Sequence, residues 1–215
     1  PYSVNLRTFF SYDIIGNPLT DCTWTYTRGK GRQLKQMTKS GTTATFLYNA
    51  DGLRIRKTVG STVTNYTLHG KNIVHMTQGS NTLHFLYAQR FSLQKALVSG
   101  GDFKSLALSL ALLGATTMPE SPAIVQFNGT KYGYIHNLQG DVIGLIDTGC
   151  IEVVKYVYNA WGKILSTTGS LASTLGAIQP FRYRSYVYDQ ETELYYIRSR
   201  YYHPIHERFI NADCI

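Results

Sequence analysis

Residues 31–38 read GRQLKQMT, and residues 70–77 read GKNIVHMT. Gly31 falls on Gly70, Leu34 on Ile73, Met37 on Met76 and Thr38 on Thr77, an offset of 39 positions. The same offset carries Thr43 onto Thr82 and Phe46-Leu47-Tyr48 onto Phe85-Leu86-Tyr87. Tyr26-Thr27 reaches Tyr66-Thr67 with a slip of one residue, as a change in turn length would produce. Self-similarity at a fixed period marks a supersecondary unit that buries its apolar face by stacking on its neighbours.

Each unit reads as strands. Residues 42–47 (TTATFL) and 61–68 (STVTNYTL) are rich in Thr and aromatic side chains and contain no Pro, a composition that favours a pleated, half-buried surface. Turn chemistry separates them. Asn49-Ala50-Asp51-Gly52 offers a side-chain acceptor and then a Gly for positive φ, and comparable turns occur at 13–16, 137–140, 159–162 and 189–193. Tyr precedes the Asp or Asn at Tyr12-Asp13, Tyr48-Asn49, Tyr158-Asn159 and Tyr188-Asp189, and Gly16, Gly52 and Gly162 close the first three. A strand ending in Tyr packs the ring and sends the hydroxyl to water or backbone.

Composition agrees. The 215 residues include 17 Tyr and 19 Gly, and the hydrophobic fraction of 43% is enough for a core. The net charge is +8, but the basic residues are scattered, so no dedicated nucleic-acid surface is expected. The longest apolar run, 106–115, is shorter than the roughly 20 residues of a membrane span. No leader pattern precedes the body of the chain, which opens on Pro1 and reads as a piece of something longer. Cys22, Cys150 and Cys214 lie far apart with no CxxC spacing, which excludes a disulfide framework and a cysteine zinc site. Cys22 and Cys150 are expected to be buried small hydrophobes.

The Tyr-Asp-x-x-Gly turns between short strands resemble the YD repeats of Rhs (rearrangement hotspot) proteins. The C-terminal stretch is similar to the Rhs repeat-associated core, a match carried by Arg182, Tyr183, Arg184, Leu194, Tyr195, Tyr196, Arg198, Arg200, Tyr201, Tyr202, Pro204, Arg208, Phe209 and Asp213. On that resemblance the chain divides into YD-repeat sheet (1–90), a departure from the pattern (91–121), more YD-repeat sheet (122–179) and core motif (180–215). The resemblance implies a mainly β fold of repetitive antiparallel hairpins, curved into part of a hollow shell that the core closes. In bacterial members the shell encloses a variable toxic C-terminal domain used against neighbouring cells. In the animal teneurins it is an adhesion scaffold. The implied partners are the rest of the shell and a downstream toxin domain. The implied location is secreted or on the cell surface. The piece itself is expected to be structural, without cofactor and non-catalytic. Periodicity alone gives only a repetitive sheet, whose end strands would be open edges prone to self-association.

The chain departs from the family pattern in places. Within 91–121, Asp102 could cap a helix and Gly114 could end it, which predicts a short helix around 102–115. It would lie on the shell wall or reach into the interior. Family members usually carry Gly where this chain has Ser185, Glu193 and Glu207, and Asp where it has His203. Three lost glycines would strain turns that need positive φ, which implies turns of another type or a decaying copy.

The chemistry is sparse. Shell self-cleavage is assigned in the family to aspartates of a downstream Asp-Pro-x-Gly-Leu motif that this chain does not reach, so no catalytic residue carries over, and Asp213 is expected to serve a turn or cap. Asp189 and Glu191 offer paired carboxylates with no fixed separation, weak support for glycoside hydrolysis. The six His show no HExxH spacing, and His203 with His206 reads as a surface turn rather than a metal site. The alternate tyrosines between Tyr132 and Tyr202 read as sheet packing. Were they exposed, they would suit the alternative of a carbohydrate or cell-surface binding module.

Overall fold

The structure, a computed structural model, describes residues 10–29, 33–87 and 121–212. The helix expected around 102–115 and the core-motif Asp213 lie outside these residues. Fourteen strands follow one another in a single antiparallel meander, each paired with the next. They are β1 (Ser11–Tyr12), β2 (Pro18–Thr20), β3 (Thr25–Arg28), β4 (Leu34–Lys39), β5 (Thr42–Tyr48), β6 (Arg54–Val59) and β7 (Thr62–His69), then β8 (Asn72–Gln78), β9 (Asn81–Leu86), β10 (Ile124–Phe127), β11 (Thr130–His136), β12 (Val142–Ile146), β13 (Glu152–Tyr158) and β14 (Ile164–Thr168). A helical turn, α1 (Leu175–Ile178), leads into a second antiparallel sheet of β15 (Val187–Asp189), β16 (Leu194–Ile197), β17 (Arg200–His203) and β18 (Arg208–Phe209).

The 39-residue offset is a structural repeat. Leu34 and Ile73, Met37 and Met76, and Phe46 and Phe85 are all buried on one face of the sheet, and Thr43, Thr45 and Leu47 alternate outward along β5, as the two-residue period of a strand requires. Tyr26 pairs with Met37 and Tyr66 with Met76, so the connection between the paired strands absorbs the slip. The register also runs straight across the departure from the pattern. Phe85 pairs with Val125 and Leu83 with Phe127, so β9 and β10 are direct antiparallel neighbours in the sheet. The 122–179 stretch ends in α1 rather than in strand, because Leu175 is buried and Tyr156 on β13 donates its hydroxyl to the Gly176 carbonyl at 2.8 Å.

The turns explain the spacing of polar residues. Asp13, Asn137, Asp147 and Asn159 each accept two backbone N–H groups on one side-chain oxygen, from residues two and four positions on. Gly16, Gly140 and Gly162 sit at φ near +84° behind three of them. In the Asp147 turn that place belongs to Cys150, at φ 65°. Cys22 also has positive φ, 71°. Both cysteines are exposed, which corrects the expectation of burial: they occupy turn tips that glycine usually takes.

The sheet curls. Laid flat, fourteen strands about 4.8 Å apart would place β1 and β14 about 62 Å from each other. Yet Arg208 donates to the Tyr12 hydroxyl of β1 at 2.9 Å, while Tyr202, on the neighbouring strand, donates to the Trp161 carbonyl beside β14 at 3.1 Å. One small sheet meets both ends of the large one, so the large sheet wraps around it. Among the described residues, no helix is long and apolar enough to cross a membrane.

The three positions where glycine was expected keep the left-handed backbone: Ser185, Glu193 and Glu207 lie at φ 55°, 58° and 55°. A non-glycine residue there costs about 1–2 kcal/mol, part of which glycine returns as unfolded-state entropy. Because Glu193 and Glu207 are exposed, Glu193→Gly and Glu207→Gly should each stabilise the chain by up to about 1 kcal/mol in a thermal melt, and Glu193→Val should destabilise it.

Candidate functional site

The seat where the C-terminal segment docks begins with a buried charge. Arg54, the first residue of β6, and Asp189, the last of β15, are both buried. The guanidinium grips the carboxylate through both oxygens, Nη1 to Oδ2 at 2.5 Å and Nη2 to Oδ1 at 2.9 Å, the planar fork that only arginine offers. Lys57, on the same strand, lies 3.3 Å from Asp189 Oδ1 and 2.5 Å from Glu191 Oε2. Burial alone would raise the Asp189 pKa, but Arg54 and then Lys57 hold it below the ordinary carboxylate range. Burial is the largest single influence on Lys57 and opposes its charge, but Asp189, Tyr66 and Glu191 together outweigh it, so that pKa rises. The two carboxylates named as a possible acid–base pair are therefore engaged by cations.

Aromatic rings wall the pair. The Arg54 guanidinium lies 4.5 Å from the Tyr196 ring centre, 5.1 Å from Tyr66, 5.5 Å from Phe46 and 5.8 Å from Tyr201, within cation–π range. The Tyr196 hydroxyl accepts the Arg54 backbone N–H at 2.9 Å. Tyr201 shares its hydroxyl proton with Tyr48 at 2.8 Å, and Tyr48 donates to the Leu34 carbonyl at 2.7 Å.

Two further anchors complete the seat. Arg182 is buried, lies 4.2 Å from the Tyr156 ring centre, and donates to the carbonyls of Gln179 and Gly176. In the Asn159 turn three successive carbonyls are each taken by a core-motif tyrosine: Ala160 by Tyr183 at 3.0 Å, Trp161 by Tyr202 at 3.1 Å and Gly162 by Tyr195 at 2.7 Å. The Arg184 backbone N–H donates to Asp141 Oδ1 at 2.8 Å, and Leu194 and Pro204 are buried. Arg200 lies 3.9 Å from the Phe209 ring centre.

The structure thus gathers Arg182, Tyr183, Leu194, Tyr195, Tyr196, Tyr201 and Tyr202 of the core motif, with Asp189, around one docking seat, whereas the repeat-turn residues Asp13, Asn49 and Asn159 stay at separate turns. The tyrosine ladder faces inward: Tyr134, Tyr156, Tyr188, Tyr195, Tyr196 and Tyr201 are buried, and Tyr132, Tyr158, Tyr183, Tyr186 and Tyr202 are partly so. Sequence reasoning missed Arg54 and Lys57, because the run Arg54-Ile55-Arg56-Lys57 does not reveal which cations turn inward. It also missed Asp21, which is buried beside His203 and His206. Those two histidines are part of a packed cluster rather than a plain surface turn.

No family model matches the chain. The tRNA3(Ser)-specific nuclease WapA of Bacillus spizizenii is 35% identical over 208 residues, which cover 94% of this chain and 8% of the relative. The tRNA nuclease WapA of Bacillus subtilis matches at the same 35% over the same share. The chain spans about 8% of the length of these curated relatives. Among solved structures, one of TcdB2-TccC3-TEV superposes on 97% of the chain and 10% of its own with a TM-score of 0.60 at 16% identity. One of TcdB2-TccC3-Cdc42 covers 95% and 9% with a TM-score of 0.52 at 15% identity. The likeness to both is one of fold.

Removing Arg54 leaves a buried carboxylate short of its main partner, so Arg54→Met should cost about 3–5 kcal/mol in denaturant unfolding, and adding Asp189→Leu should return part of it. Acid should act in two stages. Burial pushes His136 and His203 down to about 4, whereas an unfolded His titrates near about 6.5. The unfolded chain therefore binds protons that the folded one refuses, and stability falls as pH drops from 6.5 towards 4. Below that, the depressed Asp189 adds its own loss as it protonates. His136→Phe should remove about half of the first stage in melts between pH 7 and 4, leaving the share of His203.

Proposed function

The chain belongs to the Rhs/YD-repeat proteins, and from that premise we propose that it is the closing segment of a toxin-bearing β-shell, a scaffold rather than a catalyst. One observation carries the reading. Residues 180–212 turn back into the curl of the fourteen-stranded sheet and are fixed there by the Arg54–Asp189 pair, by Arg182 and by tyrosines that cap turn carbonyls. That arrangement suits a lid held against the inside of a wall.

The polar groups of the seat support the scaffold reading, since their charges neutralise one another and their hydroxyls are spent on backbone. A nuclease or other toxic activity would belong to sequence following the core motif, and the curated relatives named as tRNA nucleases are long enough to carry such a domain. On this reading the parent is secreted or displayed at the cell surface, and the chain's partners are the remaining shell and the downstream domain.

The test separates scaffold from catalyst. The purified 215-residue chain should leave a tRNA pool intact, and cleavage that tracks the folded chain through chromatography would refute the scaffold assignment. In the parent protein, Arg54→Met should make the downstream domain more sensitive to limited proteolysis. Unchanged sensitivity would remove the closing role.

A further inference from the structure

We propose that Asp21, His203 and His206 form a binding site for a divalent d-block cation of the zinc type. Asp21 follows β2, His203 ends β17 and His206 lies in the turn before β18. The three ligand atoms lie within 4.8 Å of one another. Asp21 Oδ2 is 3.6 Å from His206 Nε2 and 3.9 Å from His203 Nε2. Bonds of about 2.0 Å in a tetrahedral shell set ligand atoms about 3.3 Å apart, so the two Asp21 separations need to close by roughly half an ångström or less, and the one between the imidazoles, at most 4.8 Å, is within reach of a side-chain adjustment.

The second argument is charge. The Asp21 side chain is wholly buried. Its Oδ1 accepts the N–H groups of Thr23 and Trp24 at 2.9 and 2.7 Å, and its Oδ2 accepts the Tyr26 hydroxyl at 2.5 Å. These donors are neutral. Among the described residues, the basic groups within 4 Å of the carboxylate are the two imidazoles. A buried carboxylate facing two imidazole nitrogens is a donor set for zinc or a neighbouring metal rather than for calcium or magnesium, which take oxygen.

The arrangement also says what binding would change. His203 Nδ1 accepts the N–H groups of Ile205 and His206 at 3.2 and 3.4 Å, the long end of the hydrogen-bond range. Ligation through Nε2 places the ring proton on Nδ1, which gives up both contacts, so the cation refits the 203–207 turn and binds with moderate affinity. The His206 ring is partly exposed and supplies both the entry path and a position for solvent as fourth ligand. Once bound, the ion ties the start of the large sheet to the C-terminal segment, positions separated by 182 residues of chain in the His203–Asp21 case.

The probe is ZnCl2 added to the chain in a Cys22→Ser, Cys150→Ser, Cys214→Ser background, which removes all three thiols as rival ligands. Zinc at a hundredfold excess over its dissociation constant should raise the melting temperature by roughly 5 °C. His206→Ala, and separately Asp21→Asn, should abolish most of that rise. Co2+ should give visible ligand-field bands that His206→Ala removes. A rise that survives His206→Ala, or none up to about 1 mM zinc, overturns the proposal.

Discussion

A carboxylate taken out of water must be paired, and Asp189 meets that demand 135 positions back in the sequence, on Arg54. The Born cost of burying both charges is large, and pairs of this kind often add little net stability over an apolar replacement. We read the gain as register. The bidentate grip admits one relative placement of β6 and β15, and the contacts around it fit that placement: Tyr196 on the Arg54 backbone, Tyr201 on Tyr48, Lys57 between Asp189 and Glu191. A purely apolar contact between two sheets would tolerate sliding. This one does not.

Tyrosine does for the sheet what Arg54 does for the seat. Tyr48 donates to the Leu34 carbonyl, Tyr87 to the Ile73 carbonyl and Tyr158 to the Val142 carbonyl, at 2.7, 2.8 and 2.6 Å. The first two are the same bond carried along by the 39-residue repeat. Each hydroxyl ties the end of one strand to the start of an earlier one, across the hairpin between them. Phenylalanine would fill the same volume and leave that carbonyl without its partner. The abundance of tyrosine therefore follows from the need to satisfy backbone at the rim of a curled sheet.

Much of this was legible. The offset of 39, the Asx-type turns and the alternation along strands such as β5 follow from periodicities of two and from the chemistry of Asn, Asp and Gly, all local properties. The curl was implied by resemblance alone, since nothing in a single strand reports how far its sheet bends. Long-range pairing was illegible for a different reason. Arg54, Arg56 and Lys57 are neighbours of similar chemistry, and their fates are set by the register shift opposite Leu47 and Tyr48, which breaks the two-residue alternation at Ile55 and buries Arg54 with Lys57 rather than with Arg56, and by a partner far along the chain. Asp21 escaped notice because its companions lie 182 and 185 residues away. The cysteines were misplaced because burial was assigned by residue type, whereas positive φ at a turn tip decided their position.

His203 shows how a turn can keep its geometry while changing its chemistry. Where the resemblance leads one to expect aspartate, the Asx-type turn needs an acceptor for the N–H groups a few residues on, and the imidazole Nδ1 provides it for Ile205 and His206. An aspartate there would turn a second anion towards the buried Asp21, where two like charges in low dielectric repel. Histidine removes that conflict, because burial keeps its ring neutral. It also leaves a second nitrogen facing Asp21, and His206 adds another from the same turn. The departure from the family pattern at 203 is thus matched to the acid it faces, and the backbone of the turn survives because what it requires is an acceptor atom rather than a particular residue.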